Sequence, residues 1–185
     1  MSRLVAVIVG SLRKESVTRK MAHALIAASP PSLAPSIVEI GALQMYNQDL
    51  EDAGAPPEWQ AFRRAVSAAD AVLFVTPEYN RSIPGALKNA LDVGSRPSGK
   101  SAWAGKPGAV VSLGFGMLGG FGANHHLRQS LVYLNVPVMQ APEAYISNMA
   151  TLFDDAGALK VDSTREFITK FMASFAAWVG TIAPA

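Results

Sequence analysis

The stretch "LVAVIVGSLRKESVTRK", residues 4–20, runs from apolar residues through a glycine into a cluster of hydroxyls and cations. The continuous, β-branched run at 4–9 is typical of a strand buried on both faces of a parallel sheet. From Val17, apolar side chains recur at helical spacing until Pro30 and Pro31 end the helix. The stretch therefore predicts a buried strand, a polar loop and a helix.

The same alternation continues along the chain. Further strands are expected at residues 36–40, 71–76, 109–113 and 136–139. Further helices are expected after Pro56, after an N-cap at Ser82, across residues 123–134 and from Ser163 onward. Strands alternating with helices indicate an α/β fold, in which an open parallel sheet carries helices on both faces. Without a dividing linker, residues 1–185 are expected to form a single domain.

The composition narrows the classes of function. Hydrophobic residues make up 50% of the 185 residues and charged residues only 16%, below the usual quarter. We interpret this low charge as surface covered by other subunits. A net charge of +2 is too small and scattered for nucleic-acid binding. The chain has no cysteine, which excludes disulfides, iron–sulfur clusters and thiol catalysis, so redox chemistry would need a bound cofactor.

Targeting and metal signals are weak. No secretory leader and no apolar run of about 18 residues is visible, so we expect a cytoplasmic protein without a membrane partner. His125 and His126 are adjacent, and neighbouring helical residues point about 100° apart, which disfavours a shared metal. We expect no metal site, with one of the two histidines buried against the sheet or a subunit and the other on the surface.

Three unusual loops should meet at one edge of the sheet, because ligands of such folds bind at the carboxyl ends of the strands. They span residues 10–18, 77–80 and 114–120. The first is neither a G-x-G-x-x-G fingerprint nor a Walker A loop. This loop offers hydroxyl donors, an arginine that is always protonated, and the N-terminus of the helix that follows. Together these groups suit a phosphate dianion. The alternative is a solvated polar turn with a helix cap.

The other two loops are less specific. Tyr79 offers a flat aromatic wall, and backbone groups of Glu78 and Asn80 could meet a planar heterocycle edge-on. A purely structural turn is the alternative, since Pro and Asn suit turns. The third loop is rich in glycine, which permits close approach of a ligand to the backbone but also suits a flexible connection.

Three segments together resemble the NADPH-dependent FMN reductase family: "GSLRKESVTRK", "TPEYNRSIPGALKNALDVGSRP" and "HLRQSLVYLNVPV". The resemblance covers nearly the whole chain. It implies a flavodoxin-like three-layer sandwich with a five-stranded parallel sheet in the order 2-1-3-4-5. Members of this family reduce quinones, azo dyes, chromate or free flavins with NADPH or NADH.

The resemblance also implies a non-covalent FMN, with no catalytic residue required beyond the flavin. The residues expected to bind it are Ser11, Arg13, Ser16, Val17 and Thr18 at the phosphate, Pro77, Glu78, Tyr79 and Asn80 at the isoalloxazine ring, and Gly114, Gly116 and Gly119 at its other edge. Relatives often carry Ser or Thr near Gly114, whereas this chain has "LGFGMLGG" there. A hydrogen bond to the flavin dione is therefore expected to come from the backbone or to be missing.

By the same resemblance, NAD(P)H and a small-molecule oxidant are expected to react in turn at one flavin face, in a homodimer or homotetramer. Arg128 and the segment "LKNALD" are candidates for subunit contacts. The main alternative is an FMN-binding electron carrier of the flavodoxin type, which Arg13 and a pI of about 9.0 disfavour. A regulatory domain of the same fold without flavin is a further alternative.

Overall fold

The computed structural model describes residues 2–183, and its centre is a parallel β-sheet. Five strands pair in the order β2-β1-β3-β4-β5, which confirms the predicted sheet. The strands are β1 (Arg3–Val9), β2 (Leu33–Ile37), β3 (Ala71–Pro77), β4 (Gly108–Leu113) and β5 (Ala144–Ile146). All four strand pairings are parallel, so the carboxyl ends of the strands share one edge.

Helices cover both faces of this sheet. They are α1 (Val17–Ala27), α2 (Gln48–Asp52), α3 (Pro57–Ala68), α4 (Gly85–Gly94), α5 (Phe121–Tyr133) and α6 (Asp162–Ile182), with one 3₁₀ turn at Met149–Thr151. The short α2 lies within the connection between β2 and α3. Asn47 begins it, since the Asn47 side chain accepts a hydrogen bond from the Asp49 N–H at 2.9 Å.

The core consists of two apolar layers, one on each face of the sheet. Helices α1 and α6 pack on one face, where Phe171 and Phe175 are buried as the spacing of the last helix predicts. Helices α3, α4 and α5 pack on the other face around Trp59 and Trp103. Because every residue of β3 is buried, this strand is covered on both faces, which accounts for its continuous apolar sequence.

Two predicted strands are misplaced. The second strand spans Leu33–Ile37 rather than 36–40, because Ala34 and Pro35 have low strand propensity yet are tolerated in an edge strand. The predicted strand at 136–139 makes only one bridge to β4, between Gly108 and Val138. The pairing with β4 is interrupted at residues 140–143 and resumes as the fifth strand at Ala144–Ile146.

None of the helices between residues 2 and 183 combines the length and the apolar character needed to cross a bilayer.

Close packing at Gly94 generates a stability prediction. A methyl group at Gly94 would lie 2.5 Å from Cε2 and 2.7 Å from Cζ2 of the buried Trp103 indole. Gly94→Ala should therefore lower the free energy of unfolding by about 1–3 kcal/mol, the usual cost of overpacking. Urea denaturation followed by circular dichroism measures this change.

Gly180 provides the matched control, since it is exposed in α6 and nothing lies within 4 Å of the point where a methyl group would stand. Gly180→Ala should raise the free energy of unfolding by about 0.5–1 kcal/mol. Equal stability of Gly94→Ala and the parent protein would contradict the packing described here.

Candidate functional site

The three loops follow three neighbouring strands of the sheet, β1, β3 and β4. β1 pairs with β3, and the Gly10 N–H donates to the Val75 carbonyl at 2.8 Å just past the end of β1. β3 pairs with β4 up to the rung that joins Pro77 to Leu113. Loops 10–18, 77–80 and 114–120 therefore leave the same edge side by side, as predicted.

The first loop combines buried hydroxyls with an exposed apex. Ser11, Ser16 and Thr18 are only 2–4% exposed, whereas residues 12–15 are exposed. Ser16 is the N-cap of α1, and its Oγ accepts the Arg19 N–H at 3.1 Å. Gly10 has no room for a side chain, because a Cβ there would lie 2.7 Å from Thr76 Oγ1. The loop is thus packed tightly against the end of β3.

Two arginines flank the start of α1 and differ in their partners. The Arg19 guanidinium makes two hydrogen bonds to the Glu39 carboxylate, at 2.8 and 2.7 Å. This pairing raises the pKa of Arg19 and lowers that of Glu39. Arg13 is exposed and belongs to none of the ion pairs found within residues 2–183. Arg13, like its exposed neighbour Lys14, therefore remains available to a ligand, and Arg13 alone offers a planar guanidinium fork.

These features fit a phosphate group. The first N–H groups of an α-helix have no partner within the helix and carry a partial positive charge. The first turn of α1 contains no acidic residue that would neutralise this charge. The helix start, the nearby hydroxyls and the Arg13 fork together match the donor set that a phosphate monoester requires.

The second loop is a tight turn. Tyr79 and Ser82 exchange two backbone hydrogen bonds, at 2.9 and 3.0 Å, and Asn80 and Arg81 between them adopt positive φ angles. Ser82 is therefore not the N-cap of α4, contrary to the prediction. Pro84 occupies that position, and the Ser82 hydroxyl instead lies 2.9 Å from His126 Nδ1.

Helix α5 holds this second loop in place. The Glu78 carboxylate accepts the Ala123 N–H at 3.1 Å, so it caps the start of α5 rather than pointing to a ligand. A Cβ at Gly122 would lie 2.7 Å from the Arg81 carbonyl oxygen. Gly122 is therefore required for the loop to approach the helix. Of the predicted residues in this loop, Tyr79 and Asn80 are exposed at the edge, and Pro77 is buried at the end of β3.

The glycines of the third loop have different roles. A Cβ at Gly114 would lie 2.8 Å from the Gly120 nitrogen, and one at Gly119 would meet the Tyr145 and Ile146 backbone at 2.5–2.8 Å. These two glycines are needed for packing within the chain. Gly116 has open space around it. The apex of the loop is apolar and exposed.

A buried polar network lies behind the third loop, and the sequence analysis does not predict it. Ser112 and Asn124 are fully buried, and Asn124 Nδ2 donates to Ser112 Oγ at 3.1 Å. Ser112 Oγ in turn donates to the Gly119 carbonyl at 2.8 Å, and Arg128 Nε donates to Asn124 Oδ1 at 2.8 Å. The network ties the loop to β4 and α5. A serine inside an otherwise apolar strand is the signal that could have revealed it.

The comparisons with known proteins agree with this geometry. The family model described as NADPH-dependent FMN reductase matches residues 3–151. A quinone reductase of Pseudomonas putida is 63% identical over 176 residues, which cover 95% of this chain and 94% of the relative. A 2-hydroxy-1,4-benzoquinone reductase of Burkholderia sp is 44% identical, with 97% of each chain covered. The chain belongs to the NADPH-dependent FMN reductase family.

A solved structure extends the agreement to three dimensions. The flavoenzyme NAD(P)H:(acceptor) oxidoreductase FerB of Paracoccus denitrificans superposes with a TM-score of 0.90 at 37% identity, over 97% of this chain and 98% of that chain. The predicted resemblance is thus confirmed, and this reductase uses FMN as cofactor and NAD(P)H as co-substrate. The alternatives of an electron carrier and of a flavin-free regulatory domain are not supported.

The two histidines of α5 lie outside the three loops, and both are exposed in this chain, so neither is buried against the sheet; burial of one against another subunit stays a prediction. His125 packs against Phe121 at 4.1 Å between ring centroids, and its Nε2 lies 3.0 Å from the Tyr145 hydroxyl. Burial raises the pKa of Tyr145 to about 12, so that hydroxyl stays protonated at neutral pH. Residues 2–183 hold no group of three His, Asp or Glu side chains arranged to bind a metal.

Proposed function

We propose that this reductase passes electrons from NAD(P)H to quinones, and that it binds FMN at the three loops of the sheet edge. The observation that carries the proposal is the presence, at one edge of the sheet, of both a phosphate-type site at α1 and an exposed apolar apex on the third loop. At that apex, Phe115, Met117 and Leu118 are 64%, 87% and 59% exposed. A planar, largely apolar oxidant such as a quinone suits that apolar surface.

In this assignment, Ser11, Arg13 and residues 16–18 hold the FMN phosphate. Residues 77–80 line one edge of the isoalloxazine ring, chiefly through the Tyr79 ring and backbone groups, because the Glu78 carboxylate is engaged at α5. Residues 114–119 line the other edge through backbone groups. FMN, when bound, supplies the two-electron hydride chemistry, while the protein orients it and leaves one side open.

Anaerobic titration with NADPH and NADH, followed by a panel of oxidants, tests the proposal. Quinones should accept electrons faster than chromate, azo dyes or free flavins, because they match the apolar apex. The proposal would be contradicted if NAD(P)H did not reduce the bound flavin, or if the reduced flavin did not pass electrons to quinones.

The oligomeric state and the location stay predictions. Val132 and Tyr133, near the end of α5, are 76% and 91% exposed, which supports a homodimer or homotetramer with contacts along α4 and α5. Arg128 is a weaker candidate for such contacts, because its guanidinium is already bonded to Asn124 and to the Met139 carbonyl. The cytoplasmic location rests on the sequence alone.

The assignment of Arg13 yields a binding prediction. Arg13→Ala should weaken FMN binding by about 1.5–3 kcal/mol, or roughly 10–150-fold, the range of a hydrogen bond to a charged group. Arg13→Lys should restore only part of the affinity, because an ammonium cannot form the bidentate fork. Fluorescence titration of the apo-protein with FMN measures these affinities.

Arg19 and Lys20 are the control positions. Arg19 is paired with Glu39, so Arg19→Ala and Lys20→Ala should change FMN affinity little. Saturated with FMN, Arg13→Ala should keep near-normal turnover, since the phosphate is remote from the reacting ring. Unchanged affinity in Arg13→Ala would mean that the first loop is only a polar turn.

A kinetic prediction follows from the single open side of the site. If NAD(P)H and the oxidant occupy that side in turn, steady-state rates should follow a ping-pong pattern with parallel double-reciprocal lines. Initial rates measured while the concentrations of NAD(P)H and of the oxidant are both varied show whether the pattern is ping-pong. Intersecting lines, together with evidence for a ternary complex, would refute sequential use of one side.

A further inference from the structure

Arg81 occupies a backbone conformation that suits glycine better. The turn between Tyr79 and Ser82 has two central residues, Asn80 and Arg81, with φ angles of 51° and 65°. Two-residue turns with both φ angles positive prefer Asn followed by Gly, because a side chain at the second position is strained. An arginine in such a strained position suggests that its side chain has a function.

The turn cannot relax this strain by moving. The Arg81 carbonyl oxygen lies 2.7 Å from the point where a Cβ at Gly122 would stand, so the turn is in close contact with α5. The Ser82 hydroxyl is bonded to His126 on the same helix. The backbone of Arg81 is therefore fixed, and its side chain begins from a defined point at the sheet edge.

The Arg81 side chain is free to bind a ligand. It is exposed and takes part in none of the ion pairs found between residues 2 and 183. Glu78, the acidic residue of the same loop, is engaged with the Ala123 N–H. Arg13, the other free arginine at this edge, is assigned to the FMN phosphate. Arg81 is thus a cation without an ion-pair partner among residues 2–183, next to Asn80 at the proposed ring site.

We propose that Arg81 binds the pyrophosphate of the reduced nicotinamide dinucleotide while the nicotinamide ring stacks on the flavin ring held at residues 77–80. This inference rests on the proposed ring site. In NADH and NADPH alike, the pyrophosphate is one ribose away from the nicotinamide, a separation that a single arginine side chain can span. The guanidinium fork matches phosphate oxygens in charge and geometry.

The test uses the FMN-saturated protein and three hydride donors: NADPH, NADH and the phosphate-free N-benzyl-1,4-dihydronicotinamide. Rapid-mixing measurement of flavin reduction separates donor affinity from the limiting rate. In Arg81→Gly and Arg81→Ala, the dissociation constants of both dinucleotides should rise about 5- to 30-fold. Their limiting rates and the reaction with the phosphate-free donor should be unchanged.

Two further measurements separate binding from structure. Arg81→Gly should raise the thermal midpoint by about 2–4 °C, because glycine relieves the positive φ angle. Arg64→Ala is the matched control, since Arg64 is an exposed arginine on α3 and outside the three loops, and it should leave all donor affinities unchanged.

Unchanged affinity for both dinucleotides in the Arg81 variants would overturn the inference. So would an equal loss with the phosphate-free donor, which would mean that the variants disturb the ring site. A loss confined to NADPH would overturn the pyrophosphate assignment and place the contact at the 2′-phosphate. Failure of the proposed function itself is distinguishable, because the parent protein would then not be reduced by any dinucleotide.

Discussion

The parallel pairing of β3 with both β1 and β4 is the constraint on which the rest of the structure depends. β3 is buried along its whole length, so it must be apolar and must be covered by helices on both faces. Parallel strands need crossover helices, and these bring every strand back to start from the same side. The loops after β1, β3 and β4 consequently emerge side by side, and residues far apart in sequence form one site.

Helix α5 fixes the positions of the second and third loops. Its N-terminal turns bind the second loop through Glu78 and Gly122, and they bind the third loop through Asn124 and Ser112. The same helix therefore sets the spacing of two walls of the proposed flavin site. The first loop is held separately, by the packing of Gly10 against Thr76 and by the cap that Ser16 gives to α1. Rigid elements thus position a site made almost entirely of loops.

The sequence predicts the features that depend on local patterns. The buried strands β1, β3 and β4, the helix α1 and the three edge loops all follow from hydrophobic periodicity and parallel topology. The resemblance to a family supplies the cofactor, the strand order and the reaction, which those patterns alone do not give.

The features that the sequence does not predict depend on contacts between distant segments. The position of β5 depends on where the chain returns to pair with the end of β4, after only a single bridge at Val138, and local propensity does not reveal this. The turn at Tyr79–Ser82 resembles a helix start in sequence, but its pairing is stabilised by α5. The resemblance assigns Gly114 and Gly119 to a ligand, and the structure adds a packing role within the chain that the sequence does not reveal.

Identification of the flavin released by heat from the purified protein tests the central claim most directly. The first loop offers one phosphate site, so chromatography should show FMN as the released cofactor. Recovery of FAD, or absence of any flavin even after incubation with excess FMN, would contradict the account.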